Sequence, residues 1–373
     1  MKVLCIVGAR PNFVKIAPIL SVMQLKEHLF EPVLVHTGQH YDVSMSDVFF
    51  EDLDLPEPDV ELGVGSGTHT SQTARIMLAL ETECRRVEPD LVLVVGDVNS
   101  TLAAALVATQ LGLPIAHVEA GLRSGDRSMP EEINRLVTDA LADLLFATEE
   151  SAVLNLRREG IAAEKILLVG NVMADTLIAY KDAAVSRRTW EKFGAAPDGY
   201  GVVTIHRPAN VDNEKRLGDI VEALETVSAE MLLVFPVHPR TLRALSDCGM
   251  LSRLESANVS VASPMGYLDF IGLVAGSRLV LTDSGGLQEE TSVLGVPCLT
   301  LRENTERPVT VEAGTNRIVG TEPSEIVREA ARAVGEPKRP CKIPYWDGKA
   351  AERIVGALES LAPKLTMRCS RSS

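Results

Sequence analysis

The feature that most constrains this chain is an alternation. Short apolar runs of strand length recur along it, separated by segments of helical periodicity, which is the pattern of βαβ units and a parallel sheet. In the first half the runs fall at 2–7, 31–37, 91–96, 114–118, 144–148 and 165–170; in the second at 200–206, 231–237, 258–262, 278–283 and 297–301. Between them lies KDAAVSRRTWEKFGAAPDG, polar and basic, which reads as a linker or an irregular start to a second unit. At 373 residues the chain exceeds what one hydrophobic core supports, so two domains are expected. Aromatics are only 4% of it, which leaves Val, Ile, Leu and Ala to fill the cores. The clearest helix follows Pro130, where Ile133, Leu136, Val137, Ala140, Leu141 and Leu144 form one apolar stripe. Two α/β units joined this way would leave a cleft between them, the usual place for a ligand.

Charge and cysteine usage narrow the partners. A net charge of -14 argues against a nucleic-acid partner, which needs a basic face to displace counterions. Any phosphate site must then be local. The six cysteines are scattered, with no CxxC pair and no Cys/His cluster at metal-ligand spacing, so free thiols, a reducing cytoplasm and no metal are expected. The apolar run Val3 to Val7 leads into GARP rather than a cleavage site, and no apolar stretch approaches the roughly 18 residues that span a bilayer.

In open parallel sheets ligands bind beyond the carboxyl ends of the strands, so polar residues just after an apolar run are site candidates. LVLVVGDVNST puts Asp97 there, with Ser100 or Thr101 placed to cap the next helix; PIAHVEAGLRSGD puts Glu119 there, followed by Gly121 and Arg123. MPEEINR supplies Glu131 and Arg135 at a helix start. Each has a plainer reading: Asp97 as a turn residue, Glu119 as a solvated or paired carboxylate, Glu131 as a complement to the helix dipole. YGVVTIHRPAN sets His206 and Arg207 at a strand end, as a titrating imidazole with a phosphate-binding guanidinium or as a core histidine. RLVLTDSGGLQEE is the sharpest signal: a strand, then Ser284, Gly285 and Gly286 opening a helix, presents unpaired N–H groups to a diphosphate, with Glu290 one turn on to accept from ribose hydroxyls. A tight turn explains the glycines but not the acid. After the first strand, Arg10 and Lys15 bracket a helix start as anion contacts, although Lys15 also suits a solvated surface. No GxGxxG follows a strand, and neither GxxxxGK[ST] nor GxSxG occurs, so nicotinamide, NTP hydrolysis and the nucleophile elbow are not indicated.

Taken in order, GARPNFVK, GDVNST, HVEAGLRSGD, MPEEINR, VTIHRPAN, LTDSGGLQEE and NTERP resemble the non-hydrolysing UDP-N-acetylglucosamine 2-epimerases over nearly the whole chain. The resemblance implies a GT-B architecture, two Rossmann-like domains with parallel sheets facing a central cleft, here 1–170 and 171–347, with the helix of 348–373 packing back on the first. It also implies a homodimer, a UDP-sugar substrate and no cofactor. Carried over by position, Asp97, Glu119, Glu131 and His206 are catalytic. Arg10, Lys15, Met265, Phe270 beside uracil, Ser284, Gly285, Gly286, Glu290 on ribose and Arg307 on phosphate bind substrate. The chain departs from the family pattern at Asn12, where an acid is common, at Pro208, where a cation is common, and at Met265, where some members have Gln. In many bacterial members a QHxxMLxQ segment helps to hold a regulatory substrate molecule; Gln39 and His40 are kept here but Ser46 stands at the last Gln, which puts substrate activation in doubt.

The implied reaction needs these residue types. The proton on carbon 2 is not adjacent to a carbonyl, so UDP leaves carbon 1 as a base removes it, and UDP re-adds to the glycal as a proton arrives on the opposite face. Acids on two faces serve that exchange, while His206, Arg10 and Arg307 stabilise the departing diphosphate. The alternatives are a 2-epimerase of a modified UDP-sugar of the 2,3-diacetamido uronic acid type, a hydrolysing 2-epimerase, a GT-B glycosyltransferase and a non-catalytic UDP-sugar-binding protein.

Overall fold

A computed structural model of the chain describes residues 1–39, 49–339 and 341–369, the side chains of 361–369 excepted. The chain divides into two compact units, Met1–Ile178 together with the chain from Pro344 onward, and Ala179–Ile343. Each is a parallel sheet of the Rossmann type with helices between its strands, the α/β class expected of the GT-B architecture.

In the first unit the strands are β1 (Lys2–Val7), β2 (Glu31–His36), β3 (Val60–Glu61), β4 (Leu91–Val95), β5 (Ile115–Ala120), β6 (Leu144–Ala147) and β7 (Ile166–Leu168), in the order β3-β2-β1-β4-β5-β6-β7. β4 is the centre of that sheet, and all five of its side chains, Leu91 to Val95, are fully buried. Their transfer from water contributes roughly 10 kcal/mol gross, which is why a run with no polar face can only be an interior strand. In the second unit β8 (Tyr200–Thr204), β9 (Leu232–Pro236), β10 (Val259–Ala262), β11 (Leu279–Thr282), β12 (Cys298–Thr300) and β13 (Asn316–Ile318) follow the order β10-β9-β8-β11-β12-β13. In both sheets the chain order reverses once, between β1 and β4 and between β8 and β11, leaving at the carboxyl ends a crevice in which such sheets take ligands.

Three expectations change. Of the two readings of KDAAVSRRTWEKFGAAPDG, the linker gives way to the start of the second unit: the segment lies in the unit that opens at Ala179, begins inside a helix, Val172–Ser186, and continues in a short turn, Thr189–Phe193, whose Thr189 and Trp190 are buried. Its charges lie on a solvated face, which hides the helical period. Ser100 and Thr101 do not cap the helix Asn99–Gln110: Ser100 Oγ donates to Gln39 Oε1 (2.8 Å) and Thr101 Oγ1 to the Val95 carbonyl (3.1 Å). The stripe after Pro130 does not turn inward as a whole either, although Leu141 packs against the core. The helix Pro130–Leu141 buries Glu132, Asn134, Arg135, Thr138 and Asp139, while Ile133, Leu136, Val137 and Leu141 are half-buried and Ala140 is exposed. Leu144 belongs to β6. The polar side turns inward because the strand-end loops need its hydrogen bonds. Cys5, Cys84, Cys248, Cys298 and Cys341 are free thiols. Among the described residues no helix is long and apolar enough to cross a membrane. His40 and Ser46 lie outside the described residues.

Candidate active site

In the first unit the candidates gather at the ends of β1, β4 and β5, which are adjacent in the sheet. Asn12 fixes the first of these ends. Its Oδ1 accepts from the Gly8 and Ala9 amides (3.1 and 3.0 Å), and its Nδ2 donates to the Val95 carbonyl on β4 (2.9 Å). A carboxylate at this position could accept the two amides but could not donate to Val95, so the departure from the usual acid gives the chain an extra tie between strands. Arg10 opens the helix Arg10–Gln24, whose first turn has no acid, and its guanidinium lies 5.8 Å from the centre of the Phe49 ring. A cation at the positive end of a helix dipole is unfavourable by itself and becomes favourable with an anion beside it.

Lys15 is not solvated. It is buried, 5% exposed, and its Nζ lies 2.7 Å from Oε1 of Glu119, which is 2% exposed. Gly96 leaves room for this pair: at φ +69° it adopts a conformation that side chains rarely do, and a β-carbon there would lie 2.9 Å from Lys15 Nζ. Glu119 itself sits at φ 74°, where β5 shifts register against β6 between Val118 and Ala120. A non-glycine residue in the left-handed region stores about 1–3 kcal/mol of strain, the kind of feature that concentrates at functional sites.

Asp97 and Glu131 are linked through one helix. The Asp97 carboxylate pairs with Arg135, and its carbonyl accepts from Asn134 Nδ2 (2.8 Å). Glu131, half-buried, lies one turn before Arg135 at the helix start. Its neighbour Glu132 has a different duty. It accepts from the Ser124 and Gly125 amides (2.9 and 3.1 Å) and from Arg135 Nη2 (2.8 Å). Burial works against its ionisation, but these donors outweigh it and hold the carboxyl below the usual range.

In the second unit, His206 follows β8 and the Ser284 loop follows β11, the two strands at the reversal. Asp283, fully buried, joins them. It accepts from the backbone amides of His206 (3.0 Å) and Arg207 (2.9 Å) and from Asn210 Nδ2 (3.1 Å), while His206 Nδ1 lies 3.3 Å from Oδ1. The imidazole is thus oriented from below, with 41% of the side chain exposed. Ser284 precedes the helix Gly285–Leu294 without a side-chain cap, so the first-turn amides remain available to an anion. Glu290 is buried within that helix, and burial, followed by the nearby Glu289 carboxylate, pushes its carboxyl up to about 8 against the lowering effect of the Tyr267 hydroxyl.

Arg307 is enclosed rather than extended, at 4% exposure. Its Nε lies 2.8 Å from Glu289 and its Nη1 2.9 Å from Glu306, while Glu306 also pairs with Arg302 (2.9 Å) and approaches Arg207 (3.7 Å). Three guanidinium groups, Arg207, Arg302 and Arg307, thus gather around Glu306. Gly285 permits this, since a β-carbon there would meet Glu306 Oε1 at 2.5 Å. Met265 and Phe270, half-buried and following β10 in the chain, pack against the buried cluster that includes Leu273 and Val280.

The resulting arrangement is a group of acids at the strand ends of one unit and, at those of the other, an uncapped helix start beside His206 and Arg307. A model of the UDP-N-acetylglucosamine 2-epimerase family matches residues 23–359. The chain belongs to this family. It is therefore an isomerase by kinship, and its relatives match it almost end to end. The UDP-N-acetylglucosamine 2-epimerase of Methanocaldococcus jannaschii is 43% identical over 364 residues, covering 96% of this chain and 99% of the relative. A crystal structure of that archaeal enzyme in complex with UDP-GlcNAc and UDP superposes with a TM-score of 0.89 at 42% identity, over 96% of this chain and 99% of the other. The UDP-2,3-diacetamido-2,3-dideoxy-D-glucuronate 2-epimerase of Pseudomonas aeruginosa is 42% identical over 365 residues, covering 97% of this chain and the whole of the relative.

Several side chains of these sites were not singled out from sequence. Asp283 carried a signal, an acid directly after an apolar strand, that was read only as part of the loop. Glu132, His117, Asp139 and Glu306 gave none, because nothing in a linear text says which polar side chain of a helix turns inward. Among the described residues no group of three or more His, Cys, Asp or Glu is placed to hold a metal ion.

Proposed function

We propose that the chain catalyses the reversible 2-epimerisation of UDP-N-acetylglucosamine to UDP-N-acetylmannosamine without hydrolysis, by eliminating UDP to a glycal and adding it back, and so supplies precursors for cell-surface polysaccharide. The observation that carries this reading is the set of acids in one unit: Asp97 and Glu119 at adjacent strand ends, and Glu131 on the helix that grips Asp97 through Arg135. Inversion needs proton removal on one face of carbon 2 and delivery on the other, and each positioned acid or base accounts for about 10² to 10⁴ in rate. Lys15 pairs with Glu119 at 2.7 Å in a buried setting and so holds its carboxyl group in place for proton transfer. Ser284, Gly285 and Gly286 take the diphosphate on backbone amides, with His206, Arg10 and Arg307 supplying positive charge as UDP departs. Glu290 accepts from the ribose diol and Phe270 lies against uracil, with Met265 contributing backbone.

The same reading makes the protein a homodimer. Three helices pack side by side, His69–Val87, Asn99–Gln110 and Pro130–Leu141, and they leave Leu78 (71% exposed), Leu102, Leu106, Leu136 and Val137 incompletely covered. Apolar side chains on adjacent helices are what a second copy of the chain would bury.

The test is NMR of UDP-N-acetylglucosamine with enzyme in deuterated water. Deuterium should enter at carbon 2 as the manno epimer appears, with no nicotinamide added and no stoichiometric free UDP. Full activity in Asp97→Asn or Glu119→Gln would remove the assigned roles. The Pseudomonas relative favours a second reading, a UDP-2,3-diacetamido uronic acid substrate. Comparing kcat/KM for the two nucleotide sugars separates them.

A further inference from the structure

Two buried ionisable groups have no part in that chemistry. His117, in the middle of β5, and Asp139, on the helix Pro130–Leu141, are both fully enclosed, so neither meets a substrate. Their hydrogen bonds nevertheless end on the backbone beside each strand-end acid. His117 Nε2 donates to the carbonyl of Gly96 (2.9 Å), the residue before Asp97. His117 Nδ1 meets Asp139 Oδ1 at 2.6 Å, and Asp139 Oδ2 accepts from the amide of Gly121 (3.0 Å), two residues after Glu119. Arg123 completes the group, 2.7 Å from Asp139 and bonded also to Glu159.

From this geometry we propose that His117 and Asp139 are positioning residues, a buried brace that sets Asp97 and Glu119 at a fixed distance and orientation. The proposal rests on the reading that these two acids transfer the carbon 2 proton. The brace is needed because Glu119 is strained. Its left-handed backbone persists only if the surroundings over-determine it, and the clamp on Gly121 from one side with the Lys15 contact from the other does so. Gly96 is held twice, since its amide also donates to the Val118 carbonyl (3.0 Å). The same helix that brings Asp139 under Glu119 brings Asn134 and Arg135 to Asp97, so one rigid element references both acids. An apolar pair in place of His117 and Asp139 would leave the Gly96 carbonyl and the Gly121 amide buried without partners. Asp139 stays charged in this role. Burial opposes its ionisation, but His117 and Arg123 outweigh that and hold the carboxyl below its ordinary range.

Asp139→Leu tests the brace, because an apolar side chain of similar size can accept from neither His117 Nδ1 nor the Gly121 amide. Turnover is to be measured per UDP-binding site, so that misfolded protein is not counted. The expected result is a kcat lower by about thirtyfold to a hundredfold, the scale of an ångström of misplacement, with KM and UDP affinity within about twofold. Arg123→Gln, at the edge of the group, should lower kcat by a smaller factor in the same direction, and it decides the matter if Asp139→Leu does not fold. A purely structural role would reduce thermal stability and leave kcat per site alone; that outcome overturns the proposal. A crystal structure of the variant decides independently of any substrate. Should Glu119 and the Asp97 backbone stay within about 0.5 Å of their places, the brace is refuted even if the wild-type chain proves inert on both nucleotide sugars, a result that would count against the function reading instead.

Discussion

Replacing Lys15 by Met puts a number on the buried pair at the centre of the first site. Lys15 and Glu119 are 5% and 2% exposed and 2.7 Å apart, so the substitution takes a paired cation from a carboxylate in a place that water scarcely reaches. Removing one partner of such a pair costs about 3–5 kcal/mol, mostly the uncompensated desolvation of the survivor. For a unit of this size each kcal/mol shifts Tm by about 2–4 °C, so Lys15→Met should melt roughly 6–20 °C lower than the parent by differential scanning calorimetry. Neutralising both partners leaves neither charge to compensate. The double variant Lys15→Met/Glu119→Gln should therefore recover most of that loss while remaining inactive, since its proton-transfer group is gone. A double-mutant cycle then gives a coupling energy of about 2 kcal/mol or more between neighbours in direct contact. A single variant within about 1 kcal/mol of the parent, or a double variant as unstable as the two singles summed, would show that Glu119 is charge-compensated by something other than Lys15, and the reasoning would be refuted.

Glu290 should make both stability and nucleotide binding depend on pH. Its folded-state carboxyl is raised to about 8, so the folded chain holds a proton that the unfolded chain releases, and the stability this gives is lost as pH rises from the ordinary carboxylate range to about 8. Glu290→Gln should accordingly gain on the parent over that interval in urea titrations, and a constant difference would contradict the assignment. Hydrogen bonds from a ribose diol favour the ionised form, so UDP binding near pH 7 should release a proton, seen as a calorimetric enthalpy that varies with the buffer's ionisation enthalpy. Gly285→Ala forces a β-carbon to 2.5 Å from Glu306 Oε1 and 2.9 Å from Arg307 Nη1, and should weaken UDP binding about tenfold or more in the same calorimeter while sparing the first unit. Leu78→Glu combined with Leu136→Glu should convert dimer to monomer in sedimentation velocity; an unchanged dimer would move the interface elsewhere.

How far the sequence disclosed this molecule follows from which forces act along the chain and which act across it. The interior strands were legible because a run such as Leu91–Val95, apolar on both faces, has no stable place but the middle of a covered sheet. β3 and β13 were not: Val60–Glu61 and Asn316–Ile318 are edge strands of two and three residues, too short for any period and held by pairing to a single neighbour. The strand-end rule picked out Asp97, Glu119, His206 and Ser284, and the fold places all four at the carboxyl ends of their strands, a position set by the sheet's topology rather than by its packing. It said nothing of how those groups are supported. The helix after Pro130 shows why. Its apolar stripe invited a core-facing assignment, yet the energetics of the interior are set by what the neighbouring loops lack. The Ser124, Gly125 and Gly121 amides and the Asp97 carbonyl all take partners from this helix, and Glu132, Asp139 and Asn134 on one of its faces supply them. Leaving a buried group such as the Gly121 amide unmet costs about 1–3 kcal/mol, comparable with what a half-covered Leu or Val forfeits at the surface. Several such bonds together outweigh the stripe, and the displaced apolar side chains become available to a second copy of the chain. An inverted amphipathic helix is thus the mark of an element whose polar face supports the neighbouring loops while its apolar face is left half-covered.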